Sequence, residues 1–312
     1  MSEDPSGPRV SFVVATDTLA TVADLLEALR VQPSPDGIEL VLACPSAAAL
    51  GEDHESPVGR LEIVETGALA PLEEAFAAGV RAASAPVVVL GETHAFPAPG
   101  ALEPLVRAIA EDGYAAVAPE LRNANPESAA SWASLMLTYG RALGGSRREV
   151  EELSTHNTAY RKDLLLAFGR ELPALLRLGG GVDARLRAEG HRLLIEPSAI
   201  FAHLNVARLG SCVSDRFHAA RCYAAARSGS WSRARRALYA AGSPLIPLVL
   251  GARIVRSPGW TAHRADLPRG VLFPFALSLA GLAAGELAAY AAGAGSSPER
   301  LVDYEIHRTR HL

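Results

Sequence analysis

Cysteine is scarce. Cys44, Cys212 and Cys222 are the only three in 312 residues, too few and too scattered for a disulfide framework or a four-cysteine zinc site. They are expected to be buried or idle thiols in a reducing cytoplasm. An excess of charge of either sign is also missing. Thirty Lys and Arg stand against 34 Asp and Glu, a formal net charge of −4, with a pI near 6.2. That balance excludes a protein that coats nucleic acid through its overall charge, so no nucleic-acid partner is expected. Charged residues make up 21% and hydrophobic residues 49%, which excludes wholesale disorder. Internal repeats and low-complexity linkers are not detected. Residues 1–8 are polar, and the apolar run that follows them is far too short for a secretion signal. They are expected to form a loose tail.

What is present is an alternation of apolar runs. Val10–Ala15 is continuous and β-branched, the signature of a buried strand, and Leu19–Val31 has helical spacing. Ile38–Ala43, Leu61–Val64, Val87–Leu90 and Ala115–Ala118 continue the strands, with helices over Pro71–Ala83 and Ala101–Glu111 between them. This rhythm predicts right-handed crossovers and a parallel sheet covered on both faces. Ligands of such sheets bind at the carboxyl ends of the strands, so the segments after Ala15, Ala43 and Leu90 are where chemistry is sought. Further on, helices are expected over Leu164–Leu178 and Val182–Glu189. Two short strands follow, Leu193–Glu196 and Ala199–Ala202, and then a long arginine-rich helical region, Val213–Ala241.

Four groups of residues can carry chemistry. Glu92 and His94, two apart at the exit of a buried strand, suit a divalent cation or a polarised phosphate oxygen. The cluster Thr155-His156-Asn157-Thr158-Ala159-Tyr160-Arg161-Lys162 precedes an apolar helix and offers donors, acceptors and positive charge to hydroxyls or phosphate. The same residues also suit a helix cap. His203, with Asn205, follows a short strand and joins Glu92 and His94 as a metal ligand if the fold gathers all three. Asp183 follows three glycines, where an acid serves either as a functional carboxylate or as a helix cap.

The ordered series of segments resembles the family-two glycosyltransferases with the GT-A fold. The opening "VSFVVATDT" resembles their first strand and nucleotide-contacting turn, and "IELVLACPS" their second strand. The stretch "LEEAFAAGVRAASAPVVVLGETHAFPAPGAL" resembles the helix, strand and metal-motif region. A more specific subgroup pattern runs through "GETHAFP", "NANPESAASWA", "HNTAYRKDLLL", "LRAEGHRLLIEP" and "HLN". The match spans Arg9 to about Arg208. The resemblance implies a GT-A domain over residues 9–208, an α/β fold with a Rossmann-like, mostly parallel sheet, followed by a helical, apolar region over 209–312. It implies a nucleotide-diphosphate sugar as donor, Mn or Mg as cofactor, and inverting transfer to a glycan, lipid-linked or natural-product acceptor. Thr16, Asp17 and Glu92 then face the nucleotide-sugar, and Glu92, His94 and His203 the cation. His156, Asn157 and Tyr160 face the acceptor, and Asp183 is the catalytic base. The sequence departs from the family at four places. Ala43 and Cys44 stand where an aspartate pair is usual, and Glu92-Thr93-His94 replaces Asp-x-Asp. Phe76 and Ala77 replace Arg-Asn, and Gly179–Gly181 replaces the Glu-Asp of the base. These departures support a second reading, a non-catalytic GT-A-like binding or scaffold subunit of a membrane-bound glycan assembly. A third is a nucleotidyl- or phospho-transferase using the same sheet.

Val271–Gly285 carries no charge but is shorter than the roughly 20 residues of a spanning helix and ends at Glu286. Ser243–Val255 is a second apolar stretch, and Arg233, Arg235 and Arg236 lie beside it. The pattern predicts a surface resting on anionic lipid, with a membrane span, a buried helical pair or an oligomer contact as the alternatives. A cytoplasmic location follows, with peripheral attachment to the inner face of the membrane under the lipid reading.

Overall fold

The computed structural model describes residues 7–51, 56 and 58–312. Residues 1–6 of the expected tail lie outside the described residues. The strands are β1 (Val10–Ala15), β2 (Ile38–Cys44), β3 (Arg60–Glu65), β4 (Val87–Leu90), β5 (Ala95–Pro97), β6 (Ala116–Asn123), β7 (Arg148–Val150), β8 (Thr158–Arg161) and β9 (Leu193–His203). The first helices are α1 (Ala23–Arg30), α2 (Ala47–Leu50), α3 (Leu72–Ala82), α4 (Leu102–Ala110) and α5 (Ala129–Tyr139). They are followed by α6 (Lys162–Ala167), α7 (Leu172–Leu176), α8 (Val182–Ala188) and α9 (Leu209–Ser228). The last are α10 (Arg233–Gly242), α11 (Ile246–Val255), α12 (Pro258–Ala262), α13 (Leu272–Ala292) and α14 (Ser297–Ile306).

The chain divides into two compact units. One comprises Met1–Arg122, Ser146–Arg177 and Gly181–Ala202; the other comprises Asn123–Gly145, Leu178–Gly180 and His203–Leu312. The first is the expected α/β sheet, in the order β3-β2-β1-β4-β8-β6-β9-β5, with β7 on β9. Strands β3, β2, β1 and β4 are parallel neighbours. Strand β8 then enters antiparallel between β4 and β6. Every residue of β1, β2 and β4 is buried, as expected of parallel strands covered on both faces. Helix α3 seats closely on this sheet: a Cβ added at Gly79 would come within 2.4 Å of Val13 Cγ1.

One ladder position carries a buried acid. Ser11, Glu39 and Arg60 are cross-strand partners on β1, β2 and β3. The Glu39 carboxylate accepts from the Ser11 hydroxyl, the Ser84 N–H at 2.6 Å and the Ser84 hydroxyl at 2.7 Å. Arg60 Nε lies 3.2 Å away. Burial pushes the Glu39 pKa upward, but these hydrogen bonds and the arginine outweigh it and hold the group below its ordinary value.

The expected elements are largely present, with four corrections. Thr158–Arg161 is a strand rather than the entrance of a helix. The single helix expected over 164–178 is broken into α6, a 3-10 turn and α7, because Gly169 takes a left-handed φ of 54° and Pro173 cannot donate to a preceding turn. The two short strands over 193–202 are one strand, β9, running through Pro197. The apolar run 271–285 extends to Ala292. It passes Glu286 because that carboxylate accepts from Arg227 at 2.9 Å and from the Tyr290 hydroxyl at 2.6 Å.

The second unit is helical. Its main contact is α9 on α13, and α5, α10 and α11 also pack on α13. Gly281 and Gly285 set the spacing: a Cβ at either would lie 2.7 Å from the Val213 carbonyl oxygen or 2.1 Å from that of Phe217. Two helical runs, Arg233–Val255 and Leu272–Ala292, are long and apolar enough to cross a bilayer by length and composition. Cys44 and Cys212 are buried and Cys222 is half-buried, all as thiols outside any disulfide. Burial pushes the Cys212 thiol up to about 12.

Glu39→Gln is expected to cost about 1–3 kcal/mol by leaving buried donors poorly matched. The wild-type contribution is complete above the ordinary glutamate pKa of 4.5 and is lost as pH falls through the lowered folded value. Urea denaturation of both proteins across acidic pH checks this: the gap between them should shrink as pH falls, and a constant gap would contradict it.

Candidate functional site

The sheet register brings distant residues to one place. Strands β1 and β4 are parallel neighbours, so Thr16 and Gly91 leave the sheet on the same edge. The Gly91 N–H donates to the Val13 carbonyl at 2.8 Å, and a side chain at Gly91 would collide with the Phe12 ring, 2.0 Å from its Cε1. Strand β8 runs the other way, with Thr158 opposite Leu90. Its first residues therefore meet the last of β4, and the Asn157 N–H donates to the Leu90 carbonyl at 2.6 Å. That register sets His156 and Asn157 against Glu92, 64 and 65 positions earlier in the chain.

Glu92 is the centre of the cluster, a carboxylate only 7% exposed. Asn157 Nδ2 donates to its Oε2 at 2.6 Å. His156 Nδ1 lies 3.3 Å from Oε1, and His94 Nε2 lies 3.6 Å from Oε2. The Phe76 ring packs on His156, with centroids 4.7 Å apart. Asn157 has a left-handed φ of 58°, and it is the one residue other than glycine with positive φ among the described residues. Asparagine tolerates this conformation better than other chiral residues. Its amide oxygen is buried without a hydrogen-bond partner, an idle acceptor on a residue bonded to a cluster of one carboxylate and two imidazoles. Such a set of oxygen and nitrogen donors fits a divalent first-row cation such as manganese, and Glu92 with His94, or with His156, offers ligand atoms within 4.8 Å of one another.

The other expected site residues fall as follows. Thr16 is buried at the end of β1, where its hydroxyl donates to the Thr18 carbonyl at 2.9 Å. Asp17 accepts from the Thr21 hydroxyl at 2.9 Å. Tyr160 is fully buried within β8, with its hydroxyl on the Thr155 carbonyl at 3.3 Å. The expectation that it meets an acceptor is corrected: it is a core residue. Burial, and the nearby Asp183 carboxylate, raise its pKa well above that of an ordinary phenol.

Asp183 lies in the first turn of α8, and its Oδ2 accepts from the Leu153 N–H at 2.6 Å. Its Oδ1 is buried without a hydrogen-bond partner. Burial pushes its pKa up to about 6, against the lowering effect of the Leu153 hydrogen bond.

His203 belongs to the second unit. Its Nδ1 lies 2.9 Å from Asn205 Oδ1, and its Nε2 lies 3.4 Å from the Tyr139 hydroxyl. Asn205 Nδ2 donates to Asn123 Oδ1 at 3.0 Å and to the His203 carbonyl at 2.9 Å. The Asn205 oxygen is thereby turned toward the ring, as an acceptor beside Nδ1 of His203. The supporting residues Asn123 and Asn125 fall in the "NANPESAASWA" pattern, which marks the segment without revealing their part in holding the histidine.

No protein-family model matches this chain, and no curated protein matches it. Among solved structures, it is similar to S. aureus TarS residues 1–349, at 13% identity, with 90% of each chain covered and a TM-score of 0.46. It is similar to the mannosyltransferase PcManGT from Pyrobaculum calidifontis in complex with GDP-Man and Mn2+, at 17% identity. That match covers 97% of this chain and 83% of the other, at a TM-score of 0.48. A third, GalNAc-T7 with UDP, GalNAc and Mn2+, is 13% identical over 62% of this chain and 43% of its own, at a TM-score of 0.48. These likenesses are weak, and the chemistry of the site rests on its own residues.

The left-handed backbone at Asn157 is separable from its side-chain bond. Asn157→Ala should destabilise more than Asn157→Gly, by about 1 kcal/mol, because both lose the bond to Glu92 but only alanine meets the steric cost of this φ. Chemical denaturation of the two variants measures the difference, and equal stabilities would contradict it.

Proposed function

We propose that this chain is a glycosyltransferase that takes its donor from a nucleotide-diphosphate sugar at the carboxyl edge of the parallel strands. The observation that carries the reading is the convergence of Glu92, His94, His156 and Asn157 at the end of β4, where ligands of such sheets bind. The resemblance of the ordered sequence segments to the family-two glycosyltransferases supports it independently.

In this reading Glu92 and His94 hold a divalent cation. Bound there, the cation would supply charge stabilisation for a departing diphosphate. Asn157 orients the Glu92 carboxylate, and its own position is fixed by the bond from its N–H to Leu90. His156, held by Glu92 and Phe76, faces the acceptor side. Thr16 and Asp17 shape the turn after β1 beside the nucleotide. Asp183 is the base that takes the acceptor hydroxyl's proton as that oxygen attacks the anomeric carbon, with inversion. Its raised pKa, about 6, suits proton removal near neutral pH.

Titration calorimetry with UDP and GDP, with and without manganese, tests the donor site. Glu92→Ala should weaken manganese-dependent binding by at least roughly tenfold while the fold persists. Manganese-independent binding, equal in variant and wild type, would remove Glu92 from the site. No binding of either nucleotide by the well-folded wild type would overturn the donor reading.

A second reading has a specific observation behind it. The Asp183 carboxylate is committed through Oδ2 to the Leu153 amide, and glycines occupy 179–181, so a binding or scaffold subunit without turnover fits these residues. Asp183→Asn separates the two. For a base, turnover should fall by about 10²–10⁴-fold, and wild-type turnover should rise with pH through about 6. A structural aspartate predicts loss of stability with any turnover intact, and a scaffold predicts nucleotide binding with no turnover in either protein.

A further inference from the structure

From Arg216 to Ala265 the chain contains nine arginines and no aspartate or glutamate, although the whole protein is acidic at −4. The same stretch holds α10 and α11, whose apolar middle is turned outward. Only 17% of the apolar window in Arg233–Val255 is buried. Leu245, Leu248 and Val249 are exposed, with Leu248 at 72%. Helix α11 lies against α13, where a Cβ at Gly251 would meet Leu279 at 3.0 Å and Phe275 at 3.8 Å. The exposed Leu272, Phe273 and Leu277 of α13 therefore belong to the same packed pair, with Phe273 at 63%. Arg233 and Arg235 at one end of the run and Arg253 and Arg256 at the other are exposed, as are Arg264 and Arg269 in the connection to α13. Asp266 is the one acid in that connection, and it faces His263 at 3.4 Å.

We propose that this surface of the helical unit rests in the plane of an anionic lipid bilayer, its leucines and Phe273 entering the acyl boundary and its arginines meeting phosphate. An apolar face rimmed by exposed arginines, with Asp266 the one acid among its flanking charges, matches the composition of interfacial helices. A second copy of the chain fits poorly. Two-fold pairing would set the same arginine-rich patch against itself, with Asp266 as the one carboxylate among its flanking charges to meet it. Spanning fits poorly as well. Helix α13 is held by its other face through backbone approach at Gly281 and Gly285 to α9, and leaving that seat would expose the α9 carbonyls and the Arg227–Glu286 pair to hydrocarbon. This inference does not depend on the proposed transferase activity.

The test is co-sedimentation of the full-length protein with vesicles of phosphatidylcholine alone and of phosphatidylcholine mixed with phosphatidylglycerol. Binding is expected to the mixed vesicles and to be at least roughly tenfold weaker to the neutral ones. High salt should reduce it without abolishing it, since the apolar part is not screened. Two variants divide the contributions: Leu248→Glu with Phe273→Glu, and Arg253→Glu with Arg256→Glu. Each pair should weaken binding by about tenfold or more, and circular dichroism checks that these exposed positions leave the fold intact. Absence of binding to the mixed vesicles, or unchanged binding in both variants, would overturn the proposal. A dimer in sedimentation equilibrium that Leu248→Glu dissolves would assign the face to a second copy. Resistance of the bound protein to alkaline carbonate extraction would assign it to a spanning segment.

Discussion

A carboxylate removed from water has to be surrounded by donors or neutralised, and Glu92 shows what this demands of the fold around it. Its partners come from a strand that is remote in sequence and antiparallel. The register Leu90↔Thr158 alone decides that His156 and Asn157 arrive beside it. A slip of one residue would turn every side chain of β8 to the opposite face and leave Glu92 buried without them. The hydrogen bond from the Asn157 N–H to Leu90 and the left-handed turn at Asn157 both act to fix that one register.

Two buried acids in the sheet unit are treated differently. Glu39, in the first half of β2, meets hydroxyls, an amide and an arginine, and its charge is satisfied within the ladder. Glu92, beyond the end of β4, has imidazoles for neighbours and an adjacent amide oxygen without a partner. Carboxyl ends of parallel strands are where backbone pairing stops and loops diverge, which leaves room for a ligand to complete a set of contacts. Asp183 lies between these cases, with one oxygen used and one idle.

The parallel half of the fold was legible because burial on both faces writes a continuous apolar run, and β1, β2 and β4 were found within a residue of their ends. Strand β8 was not, since Thr158–Arg161 is short and polar and owes its extension to β4 and β6 on either side rather than to its own pattern. The polar cluster around it was recognised, but its neighbours were not: pairing of 156 with 92 is a tertiary fact with no local signal. Tyr160 illustrates the reverse error, a polar-tipped residue within a polar run that nevertheless points inward by strand alternation. Helix α5 was missed although its sequence was noted, because its apolar positions go nearly all round, a pattern typical of a buried helix. The close seat of α13 on α9 could be suspected from glycines four apart, yet only the backbone approach shows their purpose.

The arginine content of the helical unit has a chemical consequence of its own. Lys162 is the single lysine in the chain, and its ammonium donates to the carbonyls of Ala83 and Ser84 at the end of α3. The outward basic face is built wholly from guanidinium groups, which stay protonated throughout the physiological range and are weakly hydrated. Acetylation, the usual means of erasing a surface charge, has no substrate there, and neither has a shift of cellular pH. An attachment made through this face would be constitutive, and its strength would follow the anionic lipid content of the membrane it meets.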